Sequence, residues 1–273
     1  MNPYIEILRP GNAVMASIAV LLMAVISHVY NMEIILGALA VCIATGAGNT
    51  INDYYDYEID KINKPDRPIP SGRIPRNNAL YYSLILFLIA TVIGFYISIP
   101  NGITVIICSV IMIIYAYDFK QRCLIGNMTV SILTALTFVF GGLITHDLYI
   151  SSILAVFAFL MTLSREIIKD CEDIEGDIQE GAHTLPIAYG KDISIKLAFI
   201  INILTCILTP LLYIMGIFSI YYMIIVLIAD IIFIYCGMLT LRNQEKDTLH
   251  KVSKYMKIAM LIAFISFIFG SVI

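Results

Sequence analysis

Tryptophan is absent from the 273 residues, and charged side chains make up only 14% of them. Charge that scarce, with a mean hydropathy of +0.89, excludes an ordinary soluble domain. Cysteine occurs six times, but Cys42, Cys108, Cys123, Cys171, Cys206 and Cys236 are scattered and form no Cys-x-x-Cys pair. That leaves no support for a zinc site or a disulfide framework, and they read as small apolar helix residues. His28, His146, His183 and His250 are isolated from one another, so none is assigned a metal. The net charge of −3 says little by itself, and no nucleic-acid partner is expected. Pro3, Glu6, Arg9 and Pro10 precede the first apolar run, which is not the pattern of a cleavable leader, so the first helix is expected to remain in the mature protein. The missing tryptophan, beside abundant isoleucine, reads as compositional bias.

What is present is a series of apolar runs. Polar breaks divide them into nine candidate spans, at about 12–30, 34–52, 79–98, 102–117, 126–145, 149–167, 194–214, 218–240 and 255–273. Ile99-Pro100-Asn101-Gly102 reads as the turn between the third and fourth. All 17 basic residues fall at the N-terminus or in and around the links after spans two, four, six and eight, Arg165, Lys196 and Lys257 lying just inside span ends. The alternate links, around 27–33, 99–103, 145–149 and 216–221, hold no Lys or Arg. The positive-inside rule then predicts a multi-pass protein of the cell membrane with its N-terminus in the cytoplasm.

Against this apolar background stand two acidic segments. The first is Asn52-Asp53-Tyr54-Tyr55-Asp56-Tyr57-Glu58-Ile59-Asp60 and the second Asp170-Cys171-Glu172-Asp173-Ile174-Glu175-Gly176-Asp177. One offset relates them (170 − 53 = 173 − 56 = 177 − 60 = 117). The spacing i, i+3, i+7 puts each trio of aspartates on one helix face, and Asn49 and Asn52 extend the first face toward the membrane. The register predicts two pseudo-repeated four-helix halves, about 12–117 and 126–240, with a ninth helix at 255–273, all within one domain.

Six carboxylates at the ends of membrane helices repel one another unless counter-charge intervenes. Acids in such a setting are functional candidates. Two clusters sharing one cavity would hold Mg²⁺, whose shell is commonly completed by substrate phosphates. The expected ligands are Asp53, Asp56 and Asp60 in one set and Asp170, Asp173 and Asp177 in the other. Arg67 and Arg73, in a link restricted by Pro68 and Pro70 with a turn residue at Gly72, and Lys120 with Arg122 after span four, are candidates to meet phosphate oxygens.

The segment from Asn52 through Asp56 and Asp60 to Arg67-Pro68-Ile69-Pro70-Ser71-Gly72-Arg73 resembles the UbiA superfamily of intramembrane prenyltransferases. So does Arg165 through Asp177 to Thr184-Leu185-Pro186, and so does Tyr115 through Lys120 with Gly126-Asn127. Lys120 stands five places after Tyr115, where the branch with aromatic acceptors has four. The likeness covers about residues 5–270. It implies an all-α integral membrane protein of nine helices around a central cavity, with a cytoplasmic cap. It also implies two Mg²⁺ ions bridging the carboxylates to a prenyl diphosphate, one on Asn52, Asp56 and Asp60 and one on Asp170, Asp173 and Asp177, with Lys120 and Arg67 on that diphosphate.

The implied reaction is prenyl transfer with release of pyrophosphate. Asp56, Asp60, Asp173, Asp177 and Lys120 are the expected catalytic residues. Asn49, Asn52, Arg67, Arg73, Tyr115 and Arg9 are the expected substrate-binding ones. Tyr55 and Tyr115 are candidates to face the allylic cation. Overall likeness favours geranylgeranyl diphosphate as donor and geranylgeranylglyceryl phosphate as acceptor, forming the second ether bond of an archaeal lipid. Arg9 or Arg73 is then the candidate for the acceptor phosphate. An aromatic quinone precursor or haem is the alternative acceptor. A transporter is a further alternative, disfavoured because the acids gather at one membrane face. Membrane lipids are expected neighbours, and no obligate protein partner is evident.

Overall fold

The computed structural model describes residues 2–179 and 181–272. Among them every regular element is helical, apart from one isolated parallel bridge between Arg122 and His183. The helices are α1 (Pro3–Glu6), α2 (Pro10–Ile26), α3 (Met32–Tyr55), α4 (Tyr57–Asn63), α5 (Arg76–Ile97) and α6 (Ile99–Tyr117). After a 3-10 turn at Phe119–Gln121 come α7 (Ile125–Thr145), α8 (Leu148–Gln179), α9 (Leu185–Tyr189), α10 (Lys191–Ile214), α11 (Ile220–Arg242) and α12 (Lys246–Val272). Eight of the described helices, all but α1, α2, α4 and α9, are long and apolar enough to cross a membrane. The chain is thus a multi-pass membrane protein. The remaining apolar helix, α2, has 17 residues, about 25 Å against the roughly 30 Å of a hydrocarbon core.

Helix ends differ from the hydropathy boundaries in an instructive way. Pro100, Asn101 and Gly102, predicted as a turn, lie in the first turn of α6. Ser98 alone breaks the chain, and its Oγ accepts from Asn101 N at 3.2 Å. A proline in a first turn costs no hydrogen bond, because that N–H has no intrahelical partner. Helix α8 runs on to Gln179, well past the apolar limit at 167, and α12 begins at Lys246, ahead of the apolar limit at 255. Hydropathy marks where lipid ends, not where helix ends.

The chain divides into two compact units. The first comprises residues up to Ala24, Val29–Lys120 and Leu136–Ala155. Val20, Ala40, Val41, Ala44, Ala90, Val105, Phe140 and Ile144 form its core. A smaller core of Ile7, Ile69, Ile74 and Ala79 seats the N-terminal segment on the link between α4 and α5. Backbones approach closely where α7 turns into α8: a Cβ on Gly142 would lie 2.0 Å from Ser151 Oγ. On the outer face of α5, Leu84, Ile85, Leu88 and Val92 are exposed, as are Ile103, Ile107 and Val110 on α6.

The second unit comprises Val25–His28, Gln121–Ala135 and the chain from Val156 onward. Helix α11 packs against α10 and α12. Phe218, Tyr222 and Phe267 form a buried ring cluster with centroids 5.1–5.7 Å apart. Ile200, Leu204 and Ile207 on α10 and Ile224, Ile228 and Ile231 on α11 face outward. Such belts are tolerated in lipid, where helix association depends on close packing and polar contacts.

Candidate active site

In the first unit, the acidic segment lies at the junction of α3 and α4. The junction is a single residue, Asp56, with φ −77° and ψ 2°. Two i→i−4 bonds, Asp56 N to Asn52 O at 2.9 Å and Asp60 N to Asp56 O at 2.8 Å, carry the helical path across it. Asp53 lies in the last turn of α3 and Asp60 in α4, both almost fully buried at 2% and 3% exposure.

Each carboxylate of this set meets a cation. Arg67 Nη1 lies 2.6 Å from Asp60 Oδ2 and 3.2 Å from Asp53 Oδ1, so one guanidinium nitrogen serves two acids. Arg9 also pairs with Asp53 Oδ1, and Lys120 pairs with Asp56 Oδ1. Asn52 Nδ2 donates to Asp56 Oδ2 at 2.7 Å. Buried carboxylates without such partners would cost several kcal/mol, on the order of the desolvation of one ion. The sequence places these cations up to 64 residues from the acid they meet (120 − 56). The fold brings them together.

Two expected site residues are spent elsewhere. Asn49 Nδ2 donates to Leu8 O at 2.8 Å, tying the N-terminal segment to α3. Arg73 forms a two-pronged pair with Glu6, Nη1 to Oε2 at 2.7 Å and Nη2 to Oε1 at 2.9 Å. The Arg73 contact holds the Glu6 carboxyl below the usual range, and Glu6 in turn raises Arg73. Tyr115 is half-buried in α6, and the Tyr55 ring meets Tyr54 and Tyr117 edge-on, with centroids at 5.1 and 5.6 Å. Sequence reasoning missed Arg76, whose Nε donates to Tyr54 O at 3.2 Å and whose guanidinium lies over the Tyr54 and Tyr57 rings.

In the second unit, Asp170, Asp173 and Asp177 ride on the unbroken α8. Asp170 Oδ2 accepts from Asn127 Nδ2, at the head of α7, at 2.8 Å. Asp173 is exposed, and Asp177 is half-buried beside the Gly181 turn, where its carbonyl accepts from Ala182 N at 3.0 Å. Behind the set, Glu166 pairs with Arg165 at 2.8 Å and Lys169 at 3.5 Å, and Glu172 with His250 at 2.6 Å. The partner of Asp170 was legible as Gly126-Asn127, but its role was not.

Among the described residues, no three His, Cys, Asp or Glu side chains converge as a ready-made metal group. In the first set guanidinium and ammonium groups stand against the acids. The donor chemistry nonetheless fits a hard divalent cation. Both sets offer carboxylate oxygens without a thiolate or imidazole among them, the set that Mg²⁺ takes together with phosphate oxygens.

Residues 13–267 match the UbiA prenyltransferase family, and the chain belongs to it. Over 271 residues, 99% of this chain and 100% of the relative, it is 69% identical to digeranylgeranylglyceryl phosphate synthase of Methanosphaera stadtmanae. It is also similar to a solved structure of a digeranylgeranylglyceryl phosphate synthase, with a TM-score of 0.86 and 39% identity, covering 99% of this chain and 98% of the other. A UbiA homologue from Archaeoglobus fulgidus, solved with GPP and Mg²⁺, superposes with a TM-score of 0.68 over 97% of this chain and 99% of its own; at 16% identity that likeness shows the fold alone.

Proposed function

We propose that the chain transfers the geranylgeranyl group of geranylgeranyl diphosphate to the free hydroxyl of geranylgeranylglyceryl phosphate, making the second ether bond of an archaeal lipid. The observation that carries the chemistry is the shared Arg67 nitrogen between buried Asp53 and Asp60 at the end of a membrane helix. The relatives' name supplies the acceptor.

In the reaction the allylic C–O bond to diphosphate breaks, and its electron pair leaves with pyrophosphate. A lone pair of the acceptor hydroxyl forms the new C–O bond. The hydroxyl proton passes to an aspartate or to pyrophosphate. Asn52, Asp53, Asp56 and Asp60 would hold one Mg²⁺, and Asp170, Asp173 and Asp177 another. When bound, such ions supply charge neutralisation for the leaving group. Arg67 and Lys120 offer charge-assisted donors to the diphosphate oxygens. Tyr55 and Tyr115 present ring faces that favour an allylic cation and exclude water.

The membrane reading is part of the same proposal. With α2 as the first of nine spans, the basic residues segregate to one side, which supports a cytoplasmic N-terminus and cytoplasmic acidic sets. The halves 12–117 and 126–240 read as a duplication with a ninth helix added.

The test is pyrophosphate release by detergent-purified protein with geranylgeranyl diphosphate and Mg²⁺, with and without geranylgeranylglyceryl phosphate. Release and a diether product are expected only when both substrates are present. Transfer to an aromatic acid in place of the glycerol lipid would keep the family and overturn the acceptor. No release with any acceptor from folded protein would overturn the reaction.

A further inference from the structure

Arg9 and Arg67 pair with the first acidic set and Arg73 pairs with Glu6, and the three spend their donors differently. Arg73 commits all three nitrogens: Nε to Ser71 Oγ at 3.0 Å, Nη1 and Nη2 to Glu6, and Nη2 also to Asp66 O at 2.5 Å. Four of its five N–H donors are thereby spent on protein. Arg67 commits Nη1, to Asp53 and Asp60 together. Arg9 commits Nη2 to Asp53. Among the described residues, its Nε and Nη1 have no protein partner, and its side chain is 31% exposed.

The backbone around Arg9 is held from several sides. The Tyr4 ring packs edge-on against Tyr82 with centroids 5.2 Å apart. Glu6 is gripped by Arg73. Ile7 is 1% exposed against Ile69, Ile74 and Ala79. Leu8 O is fixed by Asn49. The chain then enters the left-handed region at Arg9, φ +50°, immediately before Pro10. A non-glycine residue there is disfavoured, and the residue before proline is restricted further, so the surrounding contacts must impose the conformation. The result is a half-exposed guanidinium, already anchored at one nitrogen, with its other donors presented.

We propose that Arg9 binds the phosphate of the lipid acceptor, and that Glu6 and Arg73 are positioning residues that act through it. This rests on the acceptor named under Proposed function. Two phosphate-bearing substrates need separate cations. Arg67 and Lys120 stand on Asp53, Asp60 and Asp56, the acids assigned to the diphosphate and its metal. Arg9 reaches the set from a different segment and touches it only at Asp53. The N-terminal segment therefore works as a strap whose register sets where the acceptor headgroup rests.

The experiment compares geranylgeranylglyceryl phosphate with its dephosphorylated alcohol as acceptors, at saturating geranylgeranyl diphosphate, for wild type, Arg9→Gln, Glu6→Gln and the swapped pair Glu6→Arg with Arg73→Glu. Loss of one charge-assisted bond predicts that Arg9→Gln lowers the preference for the phosphorylated acceptor by about tenfold or more. The loss should lie in KM for that acceptor, with KM for the diphosphate unchanged. Glu6→Gln should shift the same ratio less, and the swapped pair should restore it. A purely structural strap would lower turnover of both acceptors together and leave the ratio fixed, and that result overturns the proposal. So does a rise in KM for geranylgeranyl diphosphate alone. Should Arg9→Gln not fold, an unchanged ratio in Glu6→Gln overturns the positioning role by itself, and an unchanged KM in Arg9→Lys, which keeps charge but not the fork, overturns the Arg9 site. Wild type that prenylates neither glycerol acceptor, but does prenylate an aromatic acid, overturns the underlying reaction instead.

Discussion

Asn127 Nδ2 donates to Asp170 Oδ2 at 2.8 Å, so an amide at the head of α7 fixes the rotamer of the first aspartate on α8. Partners one shell removed from a metal commonly carry 10–100-fold of its affinity, in round terms about that much here. Asn127→Leu should therefore raise the Mg²⁺ concentration for half-maximal pyrophosphate release by about tenfold or more. Turnover at saturating Mg²⁺ should change little. Magnesium titration of the two proteins decides it, and superimposable curves would detach Asn127 from the metal.

Asp56 sits at the break between α3 and α4, and accepts from Asn52 as well as pairing with Lys120. Asp56→Ala removes a metal ligand and leaves the Lys120 ammonium without its carboxylate. A loss of at least about a hundredfold in turnover is expected, by comparison with removal of one preorganised electrostatic partner. Steady-state pyrophosphate release measures it. Retention of most activity would refute the assignment of Asp56 to the metal.

The Glu6–Arg73 pair gives a pH dependence whose sign is fixed. Arg73 lowers the Glu6 carboxyl from its ordinary 4.5. A depressed acid contributes stability that is fully present above its unfolded-state value and is lost as pH falls through the folded one. Wild type and Glu6→Gln should therefore differ in thermal unfolding at pH 6, and converge once the pH is taken well below 4.5. Both groups are exposed, so the difference should be small and should shrink in high salt. A gap that widens on acidification would contradict the pairing.

Asp230 is buried in the middle of α11, where Thr209 Oγ1 donates to its Oδ2 at 2.6 Å. The contact lies beside Pro210, which has no N–H for the Cys206 carbonyl; Thr209 Oγ1 also reaches that carbonyl at 3.0 Å. The acid thus belongs to the polar contacts at the carbonyl that Pro210 leaves without its N–H partner inside α10. Asparagine can accept from Thr209, so Asp230→Asn should stay within about 1 kcal/mol of wild type, whereas Asp230→Ala should cost about 1–3 kcal/mol. Unfolding in detergent tests the ranking, and turnover of Asp230→Asn below a tenth of wild type would assign the acid a chemical role.

Much of this was legible in the chain. Long apolar runs mark the helices because a membrane interior forces backbone groups to bond within their own segment. The aspartates stand out because a carboxylate near the bilayer core is costly. Less legible was anything set by the fold's return paths. No pattern in Glu6 or Arg73 announces that they clasp across 67 residues. Nor does Arg9 announce Asp53, since ion-pair partners are chosen by tertiary proximity, not by spacing. The helical extension of α8 to Gln179 was hidden because its last turns are polar. Asn49, on the face that spacing assigns to the ligand, is instead spent on a neighbouring carbonyl. Face assignment fixes direction and leaves partner identity open.

The outward isoleucines, leucines and valines of α5, α6, α10 and α11 are branched side chains. The hydrocarbon they would meet in an archaeal membrane is branched as well, because a geranylgeranyl chain carries methyl groups along its length. On the proposed reaction, the molecules that bathe this belt are descendants of the enzyme's own product. Catalyst and solvent then come from one synthesis. An altered supply of chains would change the medium in which the helices pack before it changed what reaches the acids.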